Sequence, residues 1–382
     1  MQKYKFVIIG SGPAGINAAK YILNSGIAED ELVVITKETK LYNRIYLIDY
    51  IFDAVDGNKI LYSNELTDRL NITLAEEVIY VDVKNKIVIT RNNKRFSYEK
   101  LLICSGATPI LPKIKLPKLA DNIFCIRTIE DAEKIKVKIK QAKHITIVGC
   151  GAVGVELLDG IVTNYPEKQV VVIEKNGWVL PSLLVKNVAR DIMQEIRYFL
   201  KLRAVNVSFF FNTTIRKLNF KQQKIVTTLS NDKEFSTDLL IFAMGVTPNT
   251  ILNKVKVDEY CRTNYNDIYL CGDATKFGNK YYPNFINALY SGITAAKNAL
   301  GENIKLESYQ QSNVIEVFNL VLYVRNYFDL DNKKLKVLYN VKNDSAKQYI
   351  CALDNKIYSI VWTYKNYVDI KRGQLHLDWI KL

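Results

Sequence analysis

Histidine is almost missing from this chain: His144 and His376 are the two present in 382 residues. A mechanism that needs several histidines is nearly excluded. Cysteine is present six times, as Cys104, Cys125, Cys150, Cys261, Cys271 and Cys351, but never in CxxC or CxxxxC spacing. That pattern argues against a metal site, a disulfide framework and a dithiol redox centre, and most of these residues read as small buried apolar groups. No apolar run approaches the roughly 20 residues a membrane helix needs, so no transmembrane segment is expected. The first apolar run, Phe6-Val7-Ile8-Ile9, is too short for a signal peptide and ends in glycine, so the expected location is the cytoplasm.

What is present fits a folded globular protein: 48% hydrophobic residues and 24% charged ones. At this length two or three domains are expected. The formal charge is +14. It reads either as a field that steers an acidic partner or as a Lys-rich, Asn-rich bias spread over solvated faces. No recognition motif for nucleic acid accompanies it, and none is expected to bind.

The organising stretch is Gly10-Ser11-Gly12-Pro13-Ala14-Gly15. A buried strand leads in, and an Ala-rich helix over residues 16–23 leads out. Gly10 permits the sharp turn, Gly12 lets backbone approach a pyrophosphate, and Gly15 lets helix and strand pack closely. The helix start then directs N–H groups and partial positive charge at phosphate. The same unit returns 139 residues later, as Ile145-Thr146-Ile147-Val148 followed by Gly149-Cys150-Gly151-Ala152-Val153-Gly154. Two copies of a strand–glycine turn–helix unit are far more specific than one.

Each copy has a following strand. In the second, Val170-Val171-Val172-Ile173 ends in Glu174, 20 residues beyond Gly154. A carboxylate there accepts from a ribose 2′-hydroxyl and repels a 2′-phosphate, favouring NADH over NADPH; Lys175 softens that preference. In the first copy, Leu32-Val33-Val34-Ile35 ends in Thr36, and the nearest acid is Glu38. Glu38 either reaches the ribose after a small shift or is a solvated loop residue. Arg44 either pairs with phosphate, lies against a flavin, or is a surface arginine. Glu156, read as first-turn helical, either serves the nicotinamide end or answers the helix dipole.

Residues 75–103 read as a β-rich excursion with a turn at Asn92-Asn93. Leu101-Leu102-Ile103-Cys104 is a buried strand ending in the small residues Ser105-Gly106-Ala107. Pro109, Pro112 and Pro117 then read as a linker. Residues 238–245 form another strand with a glycine end, Gly245, and residues 267–271 lead into Gly272-Asp273, where Asp273 can accept from a polyol. Residues 284–300 read as a helix stopped by Gly301. Beyond 304 the character changes. Residues 335–341, 348–353 and 357–362 read as strands, with Asp354-Asn355 as a turn. Trp362, Tyr364, Tyr367 and Trp379 mix with lysines in a tail that reads as a cap, an interface or a membrane-surface segment.

In combination GSGPAG, YNRIYL, SGATP, GCGAVGVE with VVVIEK, AMGVTPN and YLCGDAT occur in the order found in the two-dinucleotide-binding-domain flavoprotein reductases, over roughly residues 4–300. The chain resembles in particular the NADH:rubredoxin reductases and the flavin portion of NADH-dependent nitrite reductases. The resemblance implies an α/β chain with two Rossmann-like domains, FAD-binding over 1–112 and 246–303 and NAD(H)-binding over 113–245, plus a small α+β C-terminal interface domain over 304–382. FAD would be held by Gly10, Gly12, Pro13, Ala14, Gly15, Glu38, Arg44, Ser105, Gly106, Ala107, Gly272 and Asp273, with Arg127 near the flavin. NADH would be held by Gly149, Gly151, Ala152, Val153, Gly154, Glu156, Glu174 and Gly245, with Glu156 in the catalytic role. Hydride would pass from NADH to flavin, chemistry that needs no histidine because the cofactor carries it. Electrons would then pass to a small acceptor such as rubredoxin; an oxidase, a quinone reductase or a subunit of a larger redox complex are the rivals. A monomer or homodimer is expected.

Three departures from the family pattern stand out. Thr36 replaces the usual glutamate. The stretch after Arg44 has no cysteine, unlike the peroxidase, oxidase and CoA-disulfide reductase branch. Asp49 stands where the ferredoxin-reductase branch has lysine. The chain is also too short to include a sirohaem portion, and residues 304–382 match poorly.

Overall fold

The apolar runs that flank the glycines are strands buried on both faces, as continuous rather than alternating hydrophobicity requires. A computed structural model describes residues 2–63, 67–116, 121–278, 281–306, 311–326, 336–342, 346–353 and 356–365. The expected turn at Asp354-Asn355, together with Pro117, Tyr367 and Trp379, lies outside these. The chain divides into two compact units: Met1–Ile45, Gly57–Thr108 and Val246–Gln310 in the first, and Tyr46–Asp56, Pro109–Gly245 and Gln311–Leu382 in the second.

In the first unit, strands Ile72–Thr73, Leu32–Ile35, Gln2–Ile9 and Arg95–Ile103 lie side by side and parallel. Ile268–Leu270 joins the far end of Arg95–Ile103, also parallel. Ile87–Thr90 and Val78–Asp82 continue the sheet antiparallel, which is the expected β-rich excursion. One face, with Ile8, Val34 and Leu102, is covered by helices Pro13–Asn24 and Phe285–Ala299. The other face, with Val7, Val33, Leu101 and Ile103, packs on Val81, Val88, Phe96 and Leu252. Each fully buried aliphatic chain here contributes about 1.5–3 kcal/mol. Asn284 caps the second helix through its side chain, and Gly301, at φ 101°, follows its end.

The second unit repeats the arrangement. Strands Asn206–Phe210, Gln169–Ile173, His144–Val148, Leu239–Phe242 and Ile123–Cys125 form a wholly parallel sheet. An antiparallel sheet of Ile215–Lys221, Lys224–Leu229 and Glu234–Thr237 packs Leu218, Ile225 and Leu229 against Val148, Ile173 and Phe242. The described C-terminal residues form a five-stranded antiparallel sheet. The expected strands are present as Lys336–Lys342, Ala346–Leu353 and Lys356–Lys365, joined by Gln311–Val317 and Leu320–Asn326. Buried Asn326 donates to Leu183 O at 3.0 Å and accepts from Ser359, and Lys347 pairs with Glu195 on helix Lys186–Leu202. Pro109 is not simply linker: Ala107–Pro109 pairs as a short strand with Val246–Pro248. Among the described residues no helix is long and apolar enough to cross a membrane, and no group of His, Cys, Asp and Glu is placed to hold a metal ion.

Candidate functional site

The two glycine turns match bond for bond. Gly10 N–H donates to Ile35 O at 2.8 Å, and Gly149 N–H donates to Ile173 O at 2.8 Å. Cys104 N–H donates to Ile9 O at 2.8 Å, and Ala243 N–H to Val148 O at 2.7 Å. Each turn is thus stitched to both neighbouring strand ends in the same way.

The glycines within each turn have different reasons to be glycine. A Cβ on Gly10 would lie 2.2 Å from Cys104 O, and one on Gly149 would lie 2.3 Å from Ala243 O. On Gly15 and Gly154 it would lie 1.9 and 2.1 Å from the carbonyl oxygens of Gly10 and Gly149. The chain itself demands these four. The middle glycines are different: Gly12 would meet only Arg44 Nε, at 4.0 Å, and Gly151 nothing within 4 Å. Their φ values, −71° and −78°, suit any residue. Each instead caps a helix start and leaves a cradle that a side chain would fill, which fits backbone approach by a dinucleotide pyrophosphate.

Pro13, Ala14 and Gly15 begin the first helix, with Pro13 at its first position, where a missing N–H costs nothing. Ala152, Val153 and Gly154 begin the second. Glu156 is the fifth residue of that helix, one past the first turn. Dipole effects fade within that turn, so the dipole explanation of this glutamate weakens.

Around the first turn the acidic residue is displaced. Thr36 occupies the position Glu174 has in the second unit, and its Oγ1 lies 2.9 Å from Ser11 Oγ. Glu38 N–H donates to the same Thr36 Oγ1 at 3.2 Å. Glu38 is 5% exposed, so it is not a solvated loop residue. Its Oε2 accepts from Tyr42 O–H at 2.7 Å, and its Oε1 holds the Arg44 guanidinium. Arg44 is not a surface arginine either. Burial pulls its pKa down, but the charges of Tyr42, Glu38 and Asp273 outweigh this and raise it. Tyr62 is pushed up to about 12 by burial, with Arg44 opposing.

Asp273 is brought to this turn by close helix packing. Gly272, at φ 67°, leaves 2.9 Å between its Cβ position and Ala14 Cβ, and Gly292 would meet Ala14 O at 2.3 Å. Ser291 Oγ accepts from Gly272 N–H at 2.9 Å, and Asp273 O accepts from Tyr281 O–H at 3.1 Å. Ser105, Gly106 and Ala107 lie at the adjoining strand end, where Ser105 Oγ donates to Asn249 O and Gly106 O accepts from Asn249 N–H at 2.9 Å.

In the second unit Glu174 is 5% exposed. Its Oε2 accepts from Cys150 N–H at 2.8 Å, and its Oε1 from Asn176 N–H and Nδ2 at 2.8 and 2.9 Å. Gly245, at φ 91°, accepts from Ile110 N–H at the end of the neighbouring strand. Arg127 lies in this unit too, at the entry of helix Ile129–Gln141, where its N–H donates to the capping Asp131. The first-unit residues named from the sequence thus gather at one turn. Gly149, Gly151, Ala152, Val153, Gly154, Glu156 and Glu174 gather at the other.

Sequence spacing also hid a thiol pair. Cys104 and Cys271, 167 residues apart, have their Sγ atoms 3.2 Å apart, and all six cysteines are free. The hydrogen bond to Cys271 and burial hold the Cys104 thiol well above the ordinary range, and a protonated thiol is a poor nucleophile.

Two such cradles in one chain fit two dinucleotides. The chain belongs to the pyridine nucleotide-disulphide oxidoreductase family, whose model matches residues 4–302. By that family it is an oxidoreductase that works with a pyridine nucleotide. It is similar to the NADH-rubredoxin oxidoreductase of Clostridium acetobutylicum, with 30% identity over 376 residues, covering 94% of this chain and 90% of the relative. It is similar also to an NADH oxidase of Methanocaldococcus jannaschii, at 29% identity, covering 82% of this chain and 74% of the relative. In fold it is similar to a water-forming NADH oxidase from Lactobacillus brevis solved with NADH, with a TM-score of 0.83 at 23% identity, covering 99% of this chain and 90% of that one.

Proposed function

We propose that the first unit holds FAD, that the second holds NADH, and that the electrons leave to a small acidic iron protein of the rubredoxin kind in the cytoplasm. The observation that carries the two-cofactor assignment is the pair of open middle glycines, Gly12 and Gly151, in otherwise tightly filled turns. FAD supplies the hydride-accepting chemistry when bound. Gly12 and the first helix start cradle its pyrophosphate, while Glu38 and Asp273 accept from its hydroxyls and Arg44 supplies positive charge. Glu174 takes the adenosine ribose of NADH, and Glu156, from the second turn of its helix, serves the nicotinamide end.

Glu174 also supports the choice of NADH. Its carboxylate is already fixed by Cys150 and Asn176, so it presents negative charge without having to move. Glu174→Gln keeps an acceptor for Cys150 N–H while removing the charge that repels a 2′-phosphate. The preference for NADH over NADPH, read as the ratio of kcat/KM values, is expected to fall about tenfold, the worth of one charged contact.

The rubredoxin relative and the +14 charge support the acceptor. Unlike charges attract across a Debye length of about 10 Å at 0.1 M salt and progressively less above it. Turnover with rubredoxin is therefore expected to fall several-fold as salt rises, and a flat salt profile would remove the acidic-carrier reading. The NADH oxidase relative favours oxygen as a second reading. Against it, no cysteine follows Arg44 before Cys104. Steady-state rates with rubredoxin, quinone and oxygen, run side by side, separate these acceptors.

A further inference from the structure

Glu38 raises a physical problem that the second unit does not have. Glu174 sits directly at its strand end and is fixed by the backbone of its own glycine turn. Glu38 lies two residues past the corresponding position, which is filled by Thr36, hydrogen-bonded to Ser11. A carboxylate displaced in this way needs another anchor, and two side chains supply it. Arg44 takes Oε1 and Tyr42 takes Oε2. Arg44 also has a competing task, since it lies 4.0 Å from the Cβ position of Gly12, where phosphate would approach. Tyr42 reaches the other carboxylate oxygen from a buried position. It is 3% exposed, its O–H is 2.7 Å from Oε2, and its ring lies 5.5 Å below the Arg44 guanidinium. One side chain therefore orients both charged groups of the pair.

We infer that Tyr42 is a positioning residue for FAD, holding Glu38 in the place where it accepts from the adenosine ribose and so replacing the carboxylate that Thr36 displaces. The inference rests on the reading of the first unit as the FAD site. It makes Tyr42 a determinant of cofactor affinity that acts through Glu38.

The test is a double-mutant cycle on the apoprotein, titrated with FAD and followed by quenching of flavin fluorescence. Tyr42→Phe removes one oxygen and leaves the ring under Arg44. It is expected to raise the Kd for FAD about tenfold, the worth of a hydrogen bond to a charged group. Glu38→Ala, which leaves no acceptor for Tyr42 O–H, is expected to weaken FAD at least as much. Adding Tyr42→Phe to Glu38→Ala is then expected to change Kd by less than about twofold, because the contact it would break is already gone. A merely structural tyrosine would show the same loss in both backgrounds, and that additive result overturns the inference. So does wild-type affinity in either single variant. Melting temperatures of the apoproteins check that each variant folds; if Tyr42→Phe does not, Glu38→Ala still tests whether this side chain binds FAD. A wild-type chain that takes up no FAD overturns instead the assignment of the first unit.

Discussion

Gly12→Val is expected to give a folded protein that purifies without flavin. At φ −71° the position accepts any residue, and its Cβ would meet only Arg44 Nε, 4.0 Å away. The apoprotein loses at most a helix-capping contribution, a few tenths to about 1 kcal/mol. The valine side chain nevertheless fills the space that backbone and pyrophosphate must share. Affinity for FAD is expected to fall by at least about 100-fold, or roughly 2.7 kcal/mol. The contrast is Gly10→Ala. That residue has φ 104°, and its Cβ would lie 2.2 Å from Cys104 O. Left-handed strain of about 1–2 kcal/mol and overpacking of about 1–3 kcal/mol then fall on the fold itself. Melting temperature and flavin content, measured together, separate the two outcomes. Gly12→Val with full flavin content would show that this turn is not a phosphate cradle.

Gly151→Val is expected to produce the complementary defect. Nothing lies within 4 Å of its Cβ position, and φ is −78°, so the second unit should fold. The protein should stay yellow, because the first cradle is untouched. Reduction of its flavin by NADH should slow by at least about 100-fold at subsaturating NADH, since the obstructed cradle loses phosphate contacts of about 2.7 kcal/mol or more. Stopped-flow reduction over a range of NADH concentrations measures this directly. Unchanged NADH dependence would remove the second turn from the NADH site. Loss of flavin in this variant would mean that the two assignments are reversed.

The features legible in the sequence are those built from local chain. Strand, glycine turn and helix follow one another within about twenty residues, and unbroken apolar runs such as Leu32-Val33-Val34-Ile35 announce a sheet covered on both faces. Glu174 was legible for the same reason, its spacing from Gly154 being set by one helix and one turn. Tyr42 was not. It lies in a loop without periodicity, and its value comes from where Glu38 and Arg44 end up. The Cys104–Cys271 approach and the pairing of Ala107–Pro109 with Val246–Pro248 were hidden because their partners lie more than a hundred residues apart. Leu320–Asn326 hides differently. Its burial alternates along the strand, but both faces carry residues of mixed apolar character, so the residue pattern lacks the polar alternation that marks a strand.

The central claim is that one unit holds FAD, the other holds NADH, and electrons pass from the second to the first. Anaerobic mixing of the flavin-loaded protein with NADH, followed at the visible flavin band, tests it most directly. The account predicts rapid bleaching that saturates with NADH and returns when an electron acceptor is added. A protein that takes up FAD but keeps its full colour under excess NADH would contradict it.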